Sequence, residues 1–292
     1  MDRRTFLIAS TLPVLTSCAT SFGPERSLRT ALERLTQLEK DFNGRLGVYA
    51  IDTNTNASLS YRGNERFAFC STFKFLVASA ILRQSVDAPD LLERHIRYDG
   101  VELKQSGYSP ITGKNLDTGM SVAELCAAAI DYSDNGAANQ LMKILGGPPA
   151  VTEFARNVGD KEFRLDRWEP ALNSAVPGDL RDTTTPAAMT LTMQRLALGN
   201  ALPEQQRAQL VAWLRANTTG DTRISAGVPD DWDVGDKTGT GDYGVTNDVG
   251  VLWPPKRAPI VVAIFTAQRE KDAPTRNDVV ASAAHIVADW LQ

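Results

Sequence analysis

Apolar residues recur at Leu28, Ala31, Leu32, Leu35 and Leu38, the spacing of one helical face, which predicts a helix over residues 28–42 stopped by Gly44. Strand-like stretches at 45–52 and 58–61 flank a polar turn at 53–57 and predict a hairpin. Residues 73–82 are apolar nearly all round, the mark of a buried helix. From about residue 91 to 214, helical stretches alternate with turns marked by Gly and Pro. In one of them, 121–130, Ser121 and Glu124 have capping-box spacing. Strand character returns at 233–240, 245–253 and 260–266, and an amphipathic helix at 278–291 follows. Strands at both ends predict an α/β (α+β) architecture: one antiparallel sheet flanked by helices and built from both termini, with an all-α domain inserted. The expected division is 28–64 with 215–292 for the α/β domain and 65–214 for the mainly helical one. No internal repeat or low-complexity segment interrupts this pattern.

Residues 1–17 read differently. Arg3 and Arg4 precede an apolar run that ends near Leu15, too short to span a bilayer and suited to a signal peptide. The arginine pair with Phe6 and Leu7 resembles a twin-arginine export signal. Leu15-Thr16-Ser17-Cys18 resembles a lipobox, in which Cys18 would be lipidated and anchor the protein to a membrane. Ordinary cleavage nearby, with Cys18 discarded or idle, is the alternative. Either way export to the periplasm is expected.

The composition is globular, 42% apolar and 23% charged, and 292 residues suffice for one large domain or two modest ones. A formal charge of −4 gives no basic surplus for nucleic acid, so an anionic substrate would need a local cationic site. With only His95 and His285, a histidine-rich zinc centre is disfavoured, and a Ser-His-Asp triad would have to use one of them. No metal or other cofactor is expected. Cys70 and Cys126 remain beyond the signal; they could pair in an oxidising compartment or serve as small buried hydrophobes.

Candidate chemistry lies in four short motifs. In Ser71-Thr72-Phe73-Lys74, a helix opened by Ser71 would carry Lys74 one turn along on the same face. A serine hydroxyl needs a neighbour to take its proton, and a lysine can do so once desolvation and nearby positive charge lower its pKa. A helix N-terminus would add free N–H groups where an oxyanion forms. A helix cap with a solvated lysine is the plainer alternative; against it, Phe73, Phe75, Leu76 and Val77 are costly surroundings for an unpaired ammonium. Ser133-Asp134-Asn135 offers a proton donor in Ser133 and an amide in Asn135, or simply a turn. From Arg167 to Asn173 a loop opens that runs to Asp182. Glu169 suits a general base if buried near a water that Asn173 shares, and Arg167 could pair with Asp182 across the neck. A surface ion pair with a solvated glutamate is the alternative there. In Lys237-Thr238-Gly239-Thr240-Gly241, Lys237 supplies a fixed charge and Thr238 a hydroxyl for a substrate carboxylate. Gly239 would admit a ligand close to the backbone, and the Thr240 N–H could join that of Ser71 in an oxyanion hole. An edge-strand cation beside a turn explains the same residues without chemistry.

Taken together and in this order, the motifs resemble those of the class A serine β-lactamases, which carry Ser-x-x-Lys, Ser-Asp-Asn and Lys-Thr-Gly. The resemblance runs from about residue 28 to the C-terminal residue, with Glu169 and Asn173 in the expected loop between the second and third of that trio. It implies a serine β-lactamase/penicillin-binding-protein-like fold, hydrolysis of penicillins and cephalosporins, and antibiotic resistance. By this resemblance Ser71 attacks the lactam carbonyl and forms an acyl-enzyme, with Lys74 and Glu169 the candidate acylation bases. Ser133 protonates the ring nitrogen, and Glu169 with Asn173 activates the deacylating water. Asn135 binds the substrate's side-chain amide and Tyr108 walls the cleft. Lys237, Thr238 and Thr240 hold the substrate carboxylate, with Gly239 beside them. The arginine that many relatives place on the next strand is replaced by Thr246, and Arg223 is similar to the substitute that some relatives use. Arg167 and Asp182 are structural.

The resemblance also bears on the cysteines. Cys126 matches half of a bridge whose partner position is Ala78, and Cys70 half of the carbapenemase bridge whose partner position is Gly241. Two free buried thiols are therefore expected, and carbapenem turnover is weakly disfavoured. Thr240 and Gly241 are compatible with cephalosporins as well as penicillins. The expected partner is a small β-lactam, bound by a monomer. Two other functions compete: a penicillin-binding protein or D,D-peptidase, which lacks an efficient deacylation base, and a noncatalytic β-lactam sensor, which would bring a transmembrane segment or partner domain that is not found here. No Gly-x-Ser-x-Gly elbow supports an ordinary esterase.

Overall fold

The computed structural model describes residues 24–291, so the expected export signal and Cys18 lie outside the described residues. Helix α1 (Pro24–Phe42) leads into the hairpin of β1 (Arg45–Asp52) and β2 (Ser58–Tyr61). β3 (Phe67–Ala68) and a 3₁₀ turn, Cys70–Phe73, precede α2 (Lys74–Asp87). Next come β4 (His95–Ile96), α3 (Gly100–Ser106), β5 (Met120–Ser121), α4 (Val122–Asp131), α5 (Asn135–Leu145) and α6 (Pro148–Asn157). After the long loop follow β6 (Thr183–Thr184), α7 (Pro186–Ala197), α8 (Glu204–Arg215) and α9 (Ile224–Gly227). Strands β7 (Asp233–Gly241), β8 (Val245–Trp253) and β9 (Ile260–Ala267) lead to α10 (Asn277–Trp290).

The main sheet has the order β2-β1-β9-β8-β7 and is antiparallel throughout. Early and late parts of the chain meet where β1 lies beside β9, with Val48 opposite Ile264. Strand alternation sends side chains to both faces of this sheet. Leu46, Val48, Val262 and Ile264 pack on Leu35 of α1 and on Val280 and Val287 of α10. Val249, Val251, Ala263 and Phe265 enter a second core that continues through Phe75, Leu76 and Ile81 of α2 to Leu125 of α4 and Leu141 of α5. α2 is the axis of that core. Its fully buried Phe75, Leu76 and Ile81 contribute roughly 1.5–3 kcal/mol each, enough to offset the several kcal/mol that a paired buried ion costs.

One local expectation changes. Ser71 does not open an α-helix: it sits in the 3₁₀ turn, Cys70 before it has φ 49°, and α2 begins only at Lys74. The Lys74 N–H donates to the Ser71 carbonyl, and with three residues per turn Ser71 and Lys74 eclipse on one face. Elsewhere the local signals hold. Ser121 and Glu124 form the capping box of α4, each side chain bonding the other's backbone N–H.

Cys70 and Cys126 are free and buried, and burial pushes both thiols up, Cys70 also feeling the negative charge of Glu169. A Cβ at Gly241 would stand 2.6 Å from the Cys70 sulfur, so the two positions do face each other, with no partner sulfur at 241. In the folded protein neither thiol should react with a thiol reagent. After denaturation without reductant, peptide mass mapping should find both alkylated; protection of either one would contradict the assignment.

Candidate active site

Ser71 lines a cleft of about 300 Å³ together with Tyr108, Ser133, Asn135, Asn173, Thr219, Arg223, Thr238, Gly239 and Thr240. A larger hollow of about 600 Å³ lies behind the long loop, beside Phe67, Val176, Leu180 and Arg269, and contains none of the motif residues.

The floor of the cleft is ionic. Lys74 is fully buried, and its Nζ donates to Asn135 Oδ1 at 2.6 Å and to the Ser133 carbonyl at 2.7 Å. It pairs with Glu169 Oε1 at 3.1 Å and lies 3.4 Å from Ser133 Oγ. Burial lowers the Lys74 pKa below the ordinary lysine value, while the Glu169 carboxylate pulls it up. The Ser71 hydroxyl donates to Glu169 Oε1 at 3.1 Å, so the serine's proton already points at the loop carboxylate. Glu169 Oε2 accepts from Asn173 Nδ2 at 2.5 Å.

Long-range contacts hold the loop that carries Glu169. The Asn139 side chain donates to the Glu169 carbonyl at 3.0 Å and accepts from its N–H at 3.1 Å. Asn139 was not among the sequence candidates, although it sits one helical turn beyond Asn135 on α5. At the neck, Arg167 Nε pairs with Asp182 Oδ2 at 2.5 Å. Asp182 Oδ1 also accepts from the N–H groups of Asp166 and Arg167 at 2.7 and 3.0 Å. Asp134, a second residue that the sequence left without a role, caps α5 at Ala137 N–H. Its Oδ2 accepts the N–H groups of Ile111 and Thr112, both at 2.9 Å, which ties down the segment carrying Tyr108. Asn135 Nδ2 donates to the Ser106 carbonyl at 3.0 Å, which leaves one amide hydrogen for a ligand.

β7 forms the opposite wall. Lys237 is fully buried, and its Nζ donates to Ser133 Oγ at 3.1 Å and to the Thr238 carbonyl at 2.9 Å. Burial first, and then the charge on Lys74, pushes its pKa down to about 7. Gly239 lines the cleft, but the tightest constraint on it comes from behind: a Cβ would stand 2.5 Å from the Phe69 carbonyl oxygen. The missing side chain lets the 3₁₀ turn that carries Ser71 dock on β7, a need that the expected approach of a ligand does not cover. Arg223 reaches in from beside the sheet. Its Nη2 donates to Thr240 Oγ1 at 2.7 Å, its Nη1 to the carbonyls of Gly239 and Asn247, and its Nε to Asn277 Oδ1 at 2.9 Å. Thr246, opposite Thr240 in the register, is buried and turns its hydroxyl to the Gly244 carbonyl. His95 and His285 make contacts elsewhere, with the Thr118 carbonyl and with Asp289.

Asp182 therefore carries the neck, and Asp179 only its rim. Asp182→Ala takes the acceptor from Arg167 Nε and from two backbone N–H groups, leaving Arg167 only Ser174 Oγ and the more distant Asp179, and should cost about 3–5 kcal/mol in thermal or denaturant unfolding. Asp179→Ala, which loses the half-exposed Arg181 and only a 4.0 Å approach to Arg167, should cost less than about 1 kcal/mol. Equal losses would contradict this assignment of the neck.

Residues 28–291 match the family model described as "Beta-lactamase enzyme family". The chain is 50% identical to β-lactamase OXY-1 of Klebsiella oxytoca, over 99% of this chain and 98% of that one. It is 51% identical to β-lactamase Toho-1 of Escherichia coli, over 98% and 97%, and 50% identical to the carbapenem-hydrolyzing β-lactamase KPC of K. oxytoca, over 95% and 96%. The crystal structure of a β-lactamase from Desulfarculus baarsii superposes with a TM-score of 0.89 at 57% identity, covering 90% of this chain and 98% of that one. The chain belongs to the β-lactamase enzyme family, as a class A serine β-lactamase.

Proposed function

We propose that the protein opens the β-lactam amide of penicillins and cephalosporins through an acyl-enzyme on Ser71, and so confers antibiotic resistance. The observation that carries this reading is the buried 3.1 Å hydrogen bond from Ser71 Oγ to Glu169 Oε1 at the floor of the cleft. Glu169 takes the Ser71 proton as Oγ bonds to the lactam carbonyl carbon. The oxygen that becomes negative lies between the backbone N–H groups of Ser71 and Thr240. As the C–N bond breaks, Ser133 gives its proton to the ring nitrogen, Lys74 restores it, and the proton held on Glu169 returns to Lys74. The spacing of Glu169, Lys74 and Ser133, 3.1 and 3.4 Å, supports that order. Glu169, ionised again and held by Asn173, then takes a proton from water, whose oxygen adds to the ester; Ser71 leaves with that proton.

Lys237, Thr238 and Thr240, with Arg223 behind Thr240, form the cationic end that suits the substrate carboxylate. Asn135 has a free N–H for the side-chain amide, and the exposed Tyr108 flanks it. A penicillin-binding protein or D,D-peptidase would share the serine–lysine core; Glu169 in hydrogen-bonding reach of the nucleophile favours turnover instead. The relative KPC is named for carbapenem hydrolysis, but here Gly241 faces Cys70, so no cross-link braces the nucleophile's turn. We assign penicillins and cephalosporins as the principal substrates. We also propose export through residues 1–17, with Cys18 as a lipid acceptor, on the signal pattern alone. The two-domain division at about residues 64 and 215 and a monomeric state are part of the same proposal.

Glu169→Ala should slow deacylation by about 10²–10⁴-fold and let an adduct on Ser71 accumulate in intact-protein mass spectra. Undiminished turnover of a chromogenic cephalosporin would exclude this role. The Lys237 ammonium is present below its pKa of about 7 and is lost as pH rises through it. The alkaline limb of kcat/KM for carboxylate-bearing substrates should start near that pH and move upward in Lys237→Arg, whose charge persists. An unmoved limb would mean that another group sets it.

A further inference from the structure

At the carboxylate end of the cleft, hydrogen-bond chemistry fixes the direction of a chain of protons. The Thr219 N–H donates to Asn217 Oδ1 at 3.1 Å, which sets the amide's orientation, and Asn217 Nδ2 donates to Asp236 Oδ1 at 2.9 Å. An amide oxygen only accepts, so the 2.8 Å contact from Thr219 Oγ1 to Asn217 Oδ1 uses the Thr219 hydroxyl proton. A hydroxyl has only one proton. The 2.5 Å contact between Thr219 Oγ1 and Thr238 Oγ1 is therefore donated by Thr238. In its ammonium form Lys237, with Nζ 3.5 Å from Thr238 Oγ1, can also only donate to it. With its own proton drawn toward Thr219, Thr238 presents lone pairs to the cleft, the wrong polarity for an anion.

We propose that Thr219, which also lines the cleft and is oriented by Asn217, is a positioning residue that holds the Thr238 hydroxyl turned to itself along the cleft wall, and that a substrate carboxylate binds by reversing this pair of hydroxyls. On reversal the Thr238 O–H turns to the carboxylate oxygen and the Thr219 O–H turns from Asn217 Oδ1 to Thr238 Oγ1. Asn217 Oδ1 keeps the Thr219 N–H, and every proton stays on its own oxygen. One neutral hydrogen bond is exchanged for a charge-assisted bond of about twice its strength. An uncharged group at the same place gives no such return, so the pair favours anions over neutral analogues and weakens anion binding by the cost of the turn.

The inference rests on the reading that Lys237, Thr238 and Thr240 receive the substrate carboxylate, and the test separates the two. Steady-state kinetics of the full chain compare a chromogenic cephalosporin with the methyl ester of its ring carboxylate. A wild-type protein that does not prefer the acid overturns the carboxylate reading and this inference with it. Given that preference, Thr219→Val removes the competing acceptor at nearly constant volume. It should lower KM for the acid about two- to tenfold, with kcat and the ester's KM unchanged. Thr219→Ser, which keeps the hydroxyl, should return KM for the acid to the wild-type value. An acid KM that stays level or rises in Thr219→Val, or an equal shift for the ester, overturns the inference while leaving the carboxylate reading intact. Neutron diffraction from the unliganded wild-type protein reads the same point without a variant. The Thr238 deuteron should lie toward Thr219, and a deuteron pointing into the cleft would overturn the inference.

Discussion

The fully buried ammonium of Lys74 sets the terms for the rest of the site. An unpaired charge in that position would cost more than the fold can spare, so its partners must arrive together. They come from separate segments: Glu169 from the long loop, and Ser133 and Asn135 from the junction of α4 and α5. Each of these is braced in turn. Asn139 grips the Glu169 backbone on both sides, Asp182 closes the loop's neck, and Asp134 binds the turn of Ser133 to residues 111 and 112. Loosening any brace exposes the lysine's pairing, and with it the proposed proton path.

A second buried lysine compounds the constraint. Lys237 shares Ser133 Oγ with Lys74, and the two charges oppose each other. Asp236 and Asp248 lie behind, but burial raises both pKa values, and Asp248 is raised further by the charge of Asp236. The pair thus brings less negative charge than two ionised carboxylates would. The cleft is cationic within a chain whose formal charge is −4, which is how an acidic protein can receive an anionic substrate.

How much of this was legible depended on distance along the chain. The capping box of α4, the hairpin and the late strands are written in residues a few positions apart, and they form as read. The four motifs were legible as residue types at short spacing, and as a family by their order. The 3₁₀ turn was not, because the left-handed Cys70 and the docking of Phe69 against Gly239 depend on β7, far away in sequence. Asn139, Asp134 and Thr219 escaped for the same reason: an Asn, an Asp or a Thr has no distinctive role until a distant backbone group or hydroxyl arrives beside it. Arg223 was read as a cation for the substrate; the structure adds that it is a brace, spanning two strands and Asn277.

The central claim is that the Glu169 carboxylate sustains the charge on Lys74. NMR titration of the lysine ¹³Cε and ¹⁵Nζ resonances, with Lys74 assigned by substitution, tests it most directly. In the wild-type protein Lys74 should titrate below an ordinary lysine, because burial outweighs its partners. In Glu169→Gln, which keeps the shape and removes the charge, its pKa should fall further. An unchanged or higher Lys74 pKa in that variant would contradict the account.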